Sequence, residues 1–146
     1  MSKIVVLISG RGSNMENLVC SDIPGKFVLV ASNNPNADGL KKAKNMGIRT
    51  AVVDHKTFSS RQDFDLALAK KLEEYEPDLI LLAGFMRVLS KVFLSRFENK
   101  VLNIHPSLLP AFPGQHTHKN AIKKGVRIHG CTVHFVTPSL DAGPII

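Results

Sequence analysis

Short runs of apolar, mostly β-branched or leucine residues recur along the chain, and each is bounded by residues such as Gly, Asn or Asp. None of these runs alternates polar and apolar positions, which is typical of strands buried on both faces of a parallel sheet. We therefore predict buried strands at Ile4–Ser9, Phe27–Ala31, Thr50–Val53 and Leu79–Ala83. Val101–Ile104 is also strand-like.

Helical periodicity occupies the stretches between these runs and is clearest over Arg61–Tyr75. One face of that segment is apolar and carries Phe64, Leu68, Leu72 and Tyr75. Ser59 followed by Gln62 predicts a capping-box start, and Pro77 predicts the end. Strands alternating with helices predict an α/β fold: a doubly wound, mostly parallel open sheet with flanking helices and right-handed crossovers.

The character of the chain changes after Glu98. Every histidine except His55 lies beyond that point, together with a single acidic residue, Asp141. A long Pro-punctuated loop after a strand is where α/β proteins place their chemistry. The final residues, Gly143–Ile146, read as the start of another strand, so we expect the fold to continue into a C-terminal part that is missing here.

Length and composition are those of one ordinary domain. The chain has 146 residues, 44% of them hydrophobic and 21% charged, which excludes disorder and a coiled coil. No apolar run has the length of a membrane span or the form of a secretory leader, so we expect a cytoplasmic protein without a membrane partner. Cys20 and Cys131 are far apart, and we expect two reduced and mostly buried thiols.

The net charge of +7 makes an anionic partner plausible. Lysines and arginines are scattered among acidic residues and form no basic block, which argues against nucleic-acid binding. A phosphate or carboxylate of a small molecule is the remaining expectation.

Gly10–Asn14 follows the first predicted strand and precedes a predicted helix. Glycines allow close approach of the main chain to a ligand, and Ser13, Asn14 and free helix N–H groups suit a phosphate. A dinucleotide fingerprint is not formed, since Met15 replaces its third glycine and Ser32–Asn34 offer no acid. A monophosphate site and a plain tight turn both remain open from the residues alone.

Asn103 and His105 stand two residues apart on a predicted strand, so they share a face. An amide that stabilises an oxyanion beside an imidazole that moves protons suits acyl transfer. Asp141 would orient the ring and favour its protonated form. Purely structural hydrogen bonds for all three residues are the alternative.

The remaining cluster-forming residues are His116, His118, His129, Cys131 and His134. Their spacing does not form ligand pairs of the usual zinc type. His116 and His118 are expected in a loop and His134 on one face of a sheet, and no metal is predicted.

The segment Asn103–Pro110, with the sequence NIHPSLLP, strongly resembles the signature of the folate-dependent formyltransferases. The resemblance extends over Ile4–Ile146, nearly the whole chain. Further matching motifs are Gly12-Ser13-Asn14, Ala83–Arg87, Phe112–Gly114, His116–His118, His129-Gly130, Thr132–His134 and Leu140-Asp141. The Gly-Ser-Asn loop and the residues after Pro113 favour the branch of the family that acts on glycinamide ribonucleotide.

This resemblance implies transfer of a formyl group from 10-formyltetrahydrofolate, a co-substrate, to the amine of glycinamide ribonucleotide in purine biosynthesis. Asn103, His105 and Asp141 would be catalytic, and the ribonucleotide phosphate would be bound by Gly12, Ser13, Asn14, Met15 and Glu16. The folate side would comprise Arg61, Met86, Arg87, Val88, Leu89, Asn103, Thr137, Pro138, Ser139, Leu140 and Asp141.

A single domain is expected over residues 1–146, with phosphate binding in its N-terminal half, about 1–100, and catalysis in a truncated part, about 101–146. The protein would be a monomer or a homodimer. A formyltetrahydrofolate hydrolase and a non-catalytic nucleotide- or folate-binding module are the alternatives.

Overall fold

A computed structural model describes residues 1–146 and contains one six-stranded sheet. The strands are β1 (Lys3–Ile8), β2 (Lys26–Ser32), β3 (Thr50–Val52), β4 (Leu79–Leu82), β5 (Val101–His105) and β6 (Thr132–Phe135). Their order across the sheet is β3-β2-β1-β4-β5-β6, and all pairs are parallel except β5 with β6. The predicted doubly wound, mostly parallel α/β fold is confirmed.

Helices cover both faces of this sheet. They are α1 (Ser13–Cys20), α2 (Asp38–Asn45), α3 (Arg61–Glu73), α4 (Lys91–Leu94) and α5 (Thr117–Lys124), with a 3-10 turn at His55–Thr57. Successive residues of β1 point to opposite faces. Ile4 and Val6 join one apolar core with residues of α1 and α2, whereas Val5 and Leu7 join the other with residues of α3 and α4. The uninterrupted apolar runs follow from this double burial.

The start of α3 differs from its prediction by one residue. Ser60, not Ser59, is the N-cap, and its hydroxyl accepts from the main-chain N–H of Asp63. Asp63 in turn accepts from the Ser60 hydroxyl at 2.7 Å, so Asp63 takes the place expected for Gln62. The helix ends at Glu73, before Tyr75, which packs against the core from the following turn.

Two expectations, one about the cysteines and one about the segment that contains His116 and His118, need correction. Both cysteines are exposed, not buried. Thr117–Lys124 is a helix, so His118 is helical and His116 is its N-cap, where a loop was expected. The expected start of a strand at Gly143–Ile146 is seen as an isolated antiparallel bridge between Ile145 and His134. None of the helices is long and apolar enough to span a membrane.

The topology brings the candidate site to one edge of the sheet. The chain moves outward from β1 in one direction and from β4 in the other, so the two neighbouring strands mark the point where strand order reverses. Ligands of open α/β sheets bind in the crevice outside the carboxyl ends of strands at such a point. The segments after β1, β4 and β5 all begin at this edge.

Candidate active site

The segment after β1 turns into α1 through Gly12, which has a left-handed conformation with φ of 70°. A Cβ on Gly12 would lie 2.7 Å from Cα of Gly39, in the first turn of α2. The Gly39 N–H donates to the carbonyl of Gly10 at 3.0 Å. Two glycines are therefore required where the loop packs against α2, and the first turn of α1 is left with its N–H groups at the sheet edge.

The predicted phosphate-binding residues differ in what they present to solvent. Ser13 and Asn14 are exposed and available to a ligand. Met15 is fully buried in the core, so its side chain cannot bind substrate and only its main chain could contribute. Glu16 is paired with Lys42 of α2 at 2.7 Å, which balances its negative charge beside the loop.

His105 ends β5 and is almost completely buried. Its Nδ1 lies 3.4 Å from Oδ1 of Asp141, and its Nε2 lies 2.9 Å from the carbonyl oxygen of Phe112. Nε2 thus has a hydrogen-bond partner in a main-chain carbonyl, and Nδ1 lies within ion-pair distance of a carboxylate.

Asp141 connects the ring to the loop after β5. While Oδ1 faces His105, Oδ2 accepts from the main-chain N–H of Gly114 at 2.8 Å. Asp141 has a φ of 50°, a conformation that Asp tolerates better than most residues. The carboxylate is thereby brought to His105 from a loop 36 positions further along the chain than the strand that carries the ring.

Asn103 is paired with His134 of β6 in the antiparallel register. The Nδ1 of His134 lies 2.9 Å from the carbonyl of Phe135, which makes Nδ1 the donor and leaves Nε2 as an acceptor. Nε2 lies 3.4 Å from Nδ2 of Asn103. One amide hydrogen of Asn103 therefore points to His134, and the second is free for a ligand.

The segment after β4 contains four of the residues predicted to contact folate, Met86–Leu89. Met86 is 74% exposed and Val88 is 43% exposed, so both present apolar surface. Leu89 is only 2% exposed, and its side chain belongs to the core. Arg61 donates to the carbonyl of Val88, and the Arg87 guanidinium lies 4.9 Å from the ring centroid of Phe64.

The segment before Asp141 is the other part of the predicted folate side. Pro138, Ser139 and Leu140 are exposed, and the hydroxyl of Thr137 donates to the carbonyl of Ser139 at 3.3 Å. Leu140 is 59% exposed, so an apolar side chain stands uncovered next to the carboxylate that contacts His105.

The other histidines do not assemble a metal centre. No group of three or more His, Cys, Asp or Glu side chains is arranged to hold a metal ion. Nδ1 of His118 lies 2.9 Å from Nε2 of His129, and both rings are exposed. They form a pair that joins α5 to the segment before β6.

Several groups of the site were missed by sequence reasoning. The carbonyl of Phe112 and the N–H of Gly114 are main-chain atoms, which residue identity does not reveal. The contact of His134 with Asn103 was not predicted, because its position opposite Asn103 depends on a register that alternation alone does not define.

The sheet carries an amide, an imidazole and a carboxylate around the end of β5. The chain belongs to the formyl transferase family, whose model matches residues 2–146. Among its relatives is the phosphoribosylglycinamide formyltransferase of Escherichia coli, with 46% identity over 98% of this chain and 69% of the relative. The trifunctional purine biosynthetic protein adenosine-3 of Gallus gallus is 53% identical over 99% of this chain.

The solved structures agree with the sequence relatives. Glycinamide ribonucleotide transformylase 1 from Symbiobacterium toebii superposes with a TM-score of 0.97 at 45% identity, covering 100% of this chain and 71% of that one. The phosphoribosylglycinamide formyltransferase from Brucella melitensis gives 0.92 at 46% identity, with 99% and 76% covered. The chain spans 15% of the trifunctional chicken protein.

Proposed function

We propose that the protein transfers the formyl group of 10-formyltetrahydrofolate to the amine of glycinamide ribonucleotide. The observation that carries this proposal is the contact between His105 and Asp141 next to Asn103, at the sheet edge shared with the loop after β1. The relatives named for this activity support it. The substrates are small molecules, and a cytoplasmic location agrees with a purine-pathway enzyme.

The reaction needs no nucleophile from the protein. The substrate amine attacks the formyl carbon and forms a C–N bond, and collapse of the tetrahedral intermediate breaks the bond from that carbon to the folate nitrogen. The proton lost by the amine is delivered to the departing nitrogen. The free amide hydrogen of Asn103 donates to the oxyanion, and removal of such a donor typically costs on the order of 100–1000-fold in rate.

His105 and Asp141 would handle charge and protons. With Asp141 beside Nδ1, the imidazolium stabilises negative charge at the formyl oxygen. Nε2 faces the carbonyl of Phe112, so a substrate atom reaches this N–H only by taking the place of that carbonyl. Asp141 would hold the ring as a cation, while the proton lost by the substrate amine passes to the folate nitrogen through water.

The two substrates would occupy different segments of the same edge. Gly12, Ser13 and Asn14 would bind the phosphate of the ribonucleotide through N–H groups of α1, the hydroxyl and the amide. Met86, Val88 and Leu140 would contact the folate ring system. We assign phosphate binding to the N-terminal part, about 1–100, and the chemistry to about 101–146, within one domain.

The test is a formyl-transfer assay that follows release of tetrahydrofolate with and without glycinamide ribonucleotide. The proposal predicts release that depends on the ribonucleotide and appearance of the formylated product. Equally rapid release without the amine would identify a hydrolase. Binding of either substrate without release would identify a non-catalytic module.

A further inference from the structure

Ser9 stands between the two segments proposed to bind the two substrates. It follows β1 and directly precedes Gly10, the start of the phosphate segment. Its main-chain N–H donates to the carbonyl of Gly84 at 3.1 Å, and its hydroxyl oxygen accepts from the main-chain N–H of Met86 at 2.8 Å. One residue thus holds the turn after β4 at two points.

The Ser9 hydroxyl is oriented by Asn33, at the end of β2. Ser9 donates its only hydroxyl proton to Oδ1 of Asn33 at 2.6 Å. Since the proton points to Asn33, a lone pair of the hydroxyl oxygen is left to face Met86. Asn33 is 5% exposed, so little water is available to replace its partners.

His55, in the 3-10 turn after β3, holds the other side of Asn33. Its Nδ1 lies 3.1 Å from Nδ2 of Asn33 and 2.9 Å from the main-chain oxygen of Asn33. Without a proton, Nδ1 accepts from the amide. With a proton, it donates to the carbonyl. His55 therefore has a partner on Asn33 in either tautomer.

We propose that His55 is a positioning residue for the folate segment, acting through Asn33 and Ser9 on the main-chain N–H of Met86. The inference rests on the proposed function, because it assumes that the segment Gly84–Val88 contacts folate. The relay runs across the carboxyl ends of three neighbouring strands, β3, β2 and β1, and ends on the segment after β4. Hydrogen bonds in such a directional chain polarise one another, so loss of the far member weakens the contact at Met86.

The experiment compares three substitutions of His55 in the steady-state assay. His55→Ala is expected to raise KM for 10-formyltetrahydrofolate about three- to tenfold, the equivalent of one hydrogen bond, and to leave KM for glycinamide ribonucleotide unchanged. His55→Asn places an amide where Nδ1 stood and should restore KM for folate. His55→Gln carries the same amide group as His55→Asn on a longer side chain, which places the amide beyond the position of Nδ1. This variant should therefore behave like His55→Ala.

A second readout does not depend on turnover. In the ligand-free protein, amide hydrogen exchange at Met86 should be faster in His55→Ala and His55→Gln than in the wild type and in His55→Asn, while exchange in β1 is unchanged. Unchanged exchange and unchanged KM in His55→Ala would overturn the relay. An equal loss for both substrates, or faster exchange throughout the sheet, would also overturn it in favour of a general structural role.

These readouts separate the relay from the proposed function. If the wild-type protein does not transfer the formyl group, the proposed function is refuted. Amide hydrogen exchange at Met86 in the His55 variants still tests the relay in that case. If the wild type transfers the formyl group but every His55 variant has the wild-type KM for 10-formyltetrahydrofolate and the wild-type exchange rate at Met86, the proposed function is supported and the relay is refuted.

Discussion

Asp141 and His105 form the least exposed ion-pair contact of the protein, with Oδ1 and Nδ1 3.4 Å apart and side chains 8% and 5% exposed. The four pairs of a lysine or arginine with a glutamate lie on the surface, where such contacts contribute little. Withdrawing two ionisable groups from water is costly, and their attraction offsets this only in good geometry. A pair retained in such a place is expected to serve the reaction more than the fold.

Replacing Asp141 separates its charge from its role in the loop. Asp141→Asn keeps an oxygen that can accept from Gly114 but removes the negative charge beside His105, so kcat should fall about 100-fold or more. Asp141→Ala also loses the contact to Gly114 and should unfold at a lower urea concentration than Asp141→Asn. Both are measured by steady-state kinetics and urea denaturation. An Asp141→Asn variant with the wild-type kcat would show that the charge is not needed.

Asn103 is expected to act in the transition state. Asn103→Ala should lower kcat about 100- to 1000-fold and leave KM for the ribonucleotide nearly unchanged, since the amide stabilises charge that develops only during the reaction. His134→Ala removes the acceptor that orients the amide and should lower kcat by a smaller factor, about tenfold. Steady-state kinetics of both variants checks whether kcat falls further in Asn103→Ala than in His134→Ala. A loss confined to KM in Asn103→Ala would assign the amide to substrate binding.

The central strands of the sheet were predictable from sequence because both of their faces are covered by the two apolar cores. A strand that is covered on both faces has apolar residues at successive positions, as in the run Leu79–Ala83, and the observed β4 covers Leu79–Leu82. Helix α5 was not predicted, since only Thr117 and Ala121 of it are buried and its apolar stripe is too narrow for a clear period. Its N-cap, His116, also has a φ of 57°, which the residue type does not indicate.

The candidate site was predictable only for its side chains. Asn103 and His105 share a strand, so their proximity follows from period two. The approach of Asp141 from a distant loop entered through the family resemblance, because spacing along the chain carries no information on that contact. Met15 and Leu89 belong to segments predicted to bind the substrates, but their side chains are in the core. A motif identifies a segment, and burial decides which of its side chains reach a ligand.

Two adjacent serines, Ser59 and Ser60, allow the N-cap of α3 to be tested. Ser60→Ala removes the acceptor of the Asp63 N–H and should lower the free energy of unfolding by about 1 kcal/mol. Ser59 reaches Asp63 only at 3.5 Å, so Ser59→Ala should have almost no effect. Chemical denaturation of the two variants decides between them. A larger loss of unfolding free energy in Ser59→Ala than in Ser60→Ala would instead support Ser59 as the cap, as the sequence pattern predicts.

The pair of Lys3 and Glu76 predicts a small acid-dependent change in stability. The hydrogen bond from Lys3, at 2.7 Å, and its charge hold the pKa of Glu76 below the usual value of 4.5. Since the native pKa is lower than the unfolded one, the native state binds fewer protons, and the stabilisation is present above pH 4.5 and lost as the pH falls through the lowered value.

Glu76→Gln should therefore be slightly less stable than the wild type at neutral pH, and the difference should vanish in acid. Urea denaturation at several pH values measures it, and both side chains are exposed enough for the effect to shrink in high salt. A difference between the two proteins that grows towards acid pH would have the wrong sign for this pair.

Gly12 and Gly10 allow the geometry of the phosphate segment to be tested with a matched control. Gly12→Ala places a Cβ 2.7 Å from Cα of Gly39 and forces alanine into a left-handed conformation, which alone costs about 1–2 kcal/mol. A Cβ at Gly10 meets nothing within 4 Å, so Gly10→Ala should be nearly neutral for stability. In Gly12→Ala, α1 must shift away from α2, so binding of glycinamide ribonucleotide, measured by calorimetry, should weaken more than binding of 10-formyltetrahydrofolate. Equal weakening of both ligands would show that the segment supports the whole sheet edge and not the phosphate in particular.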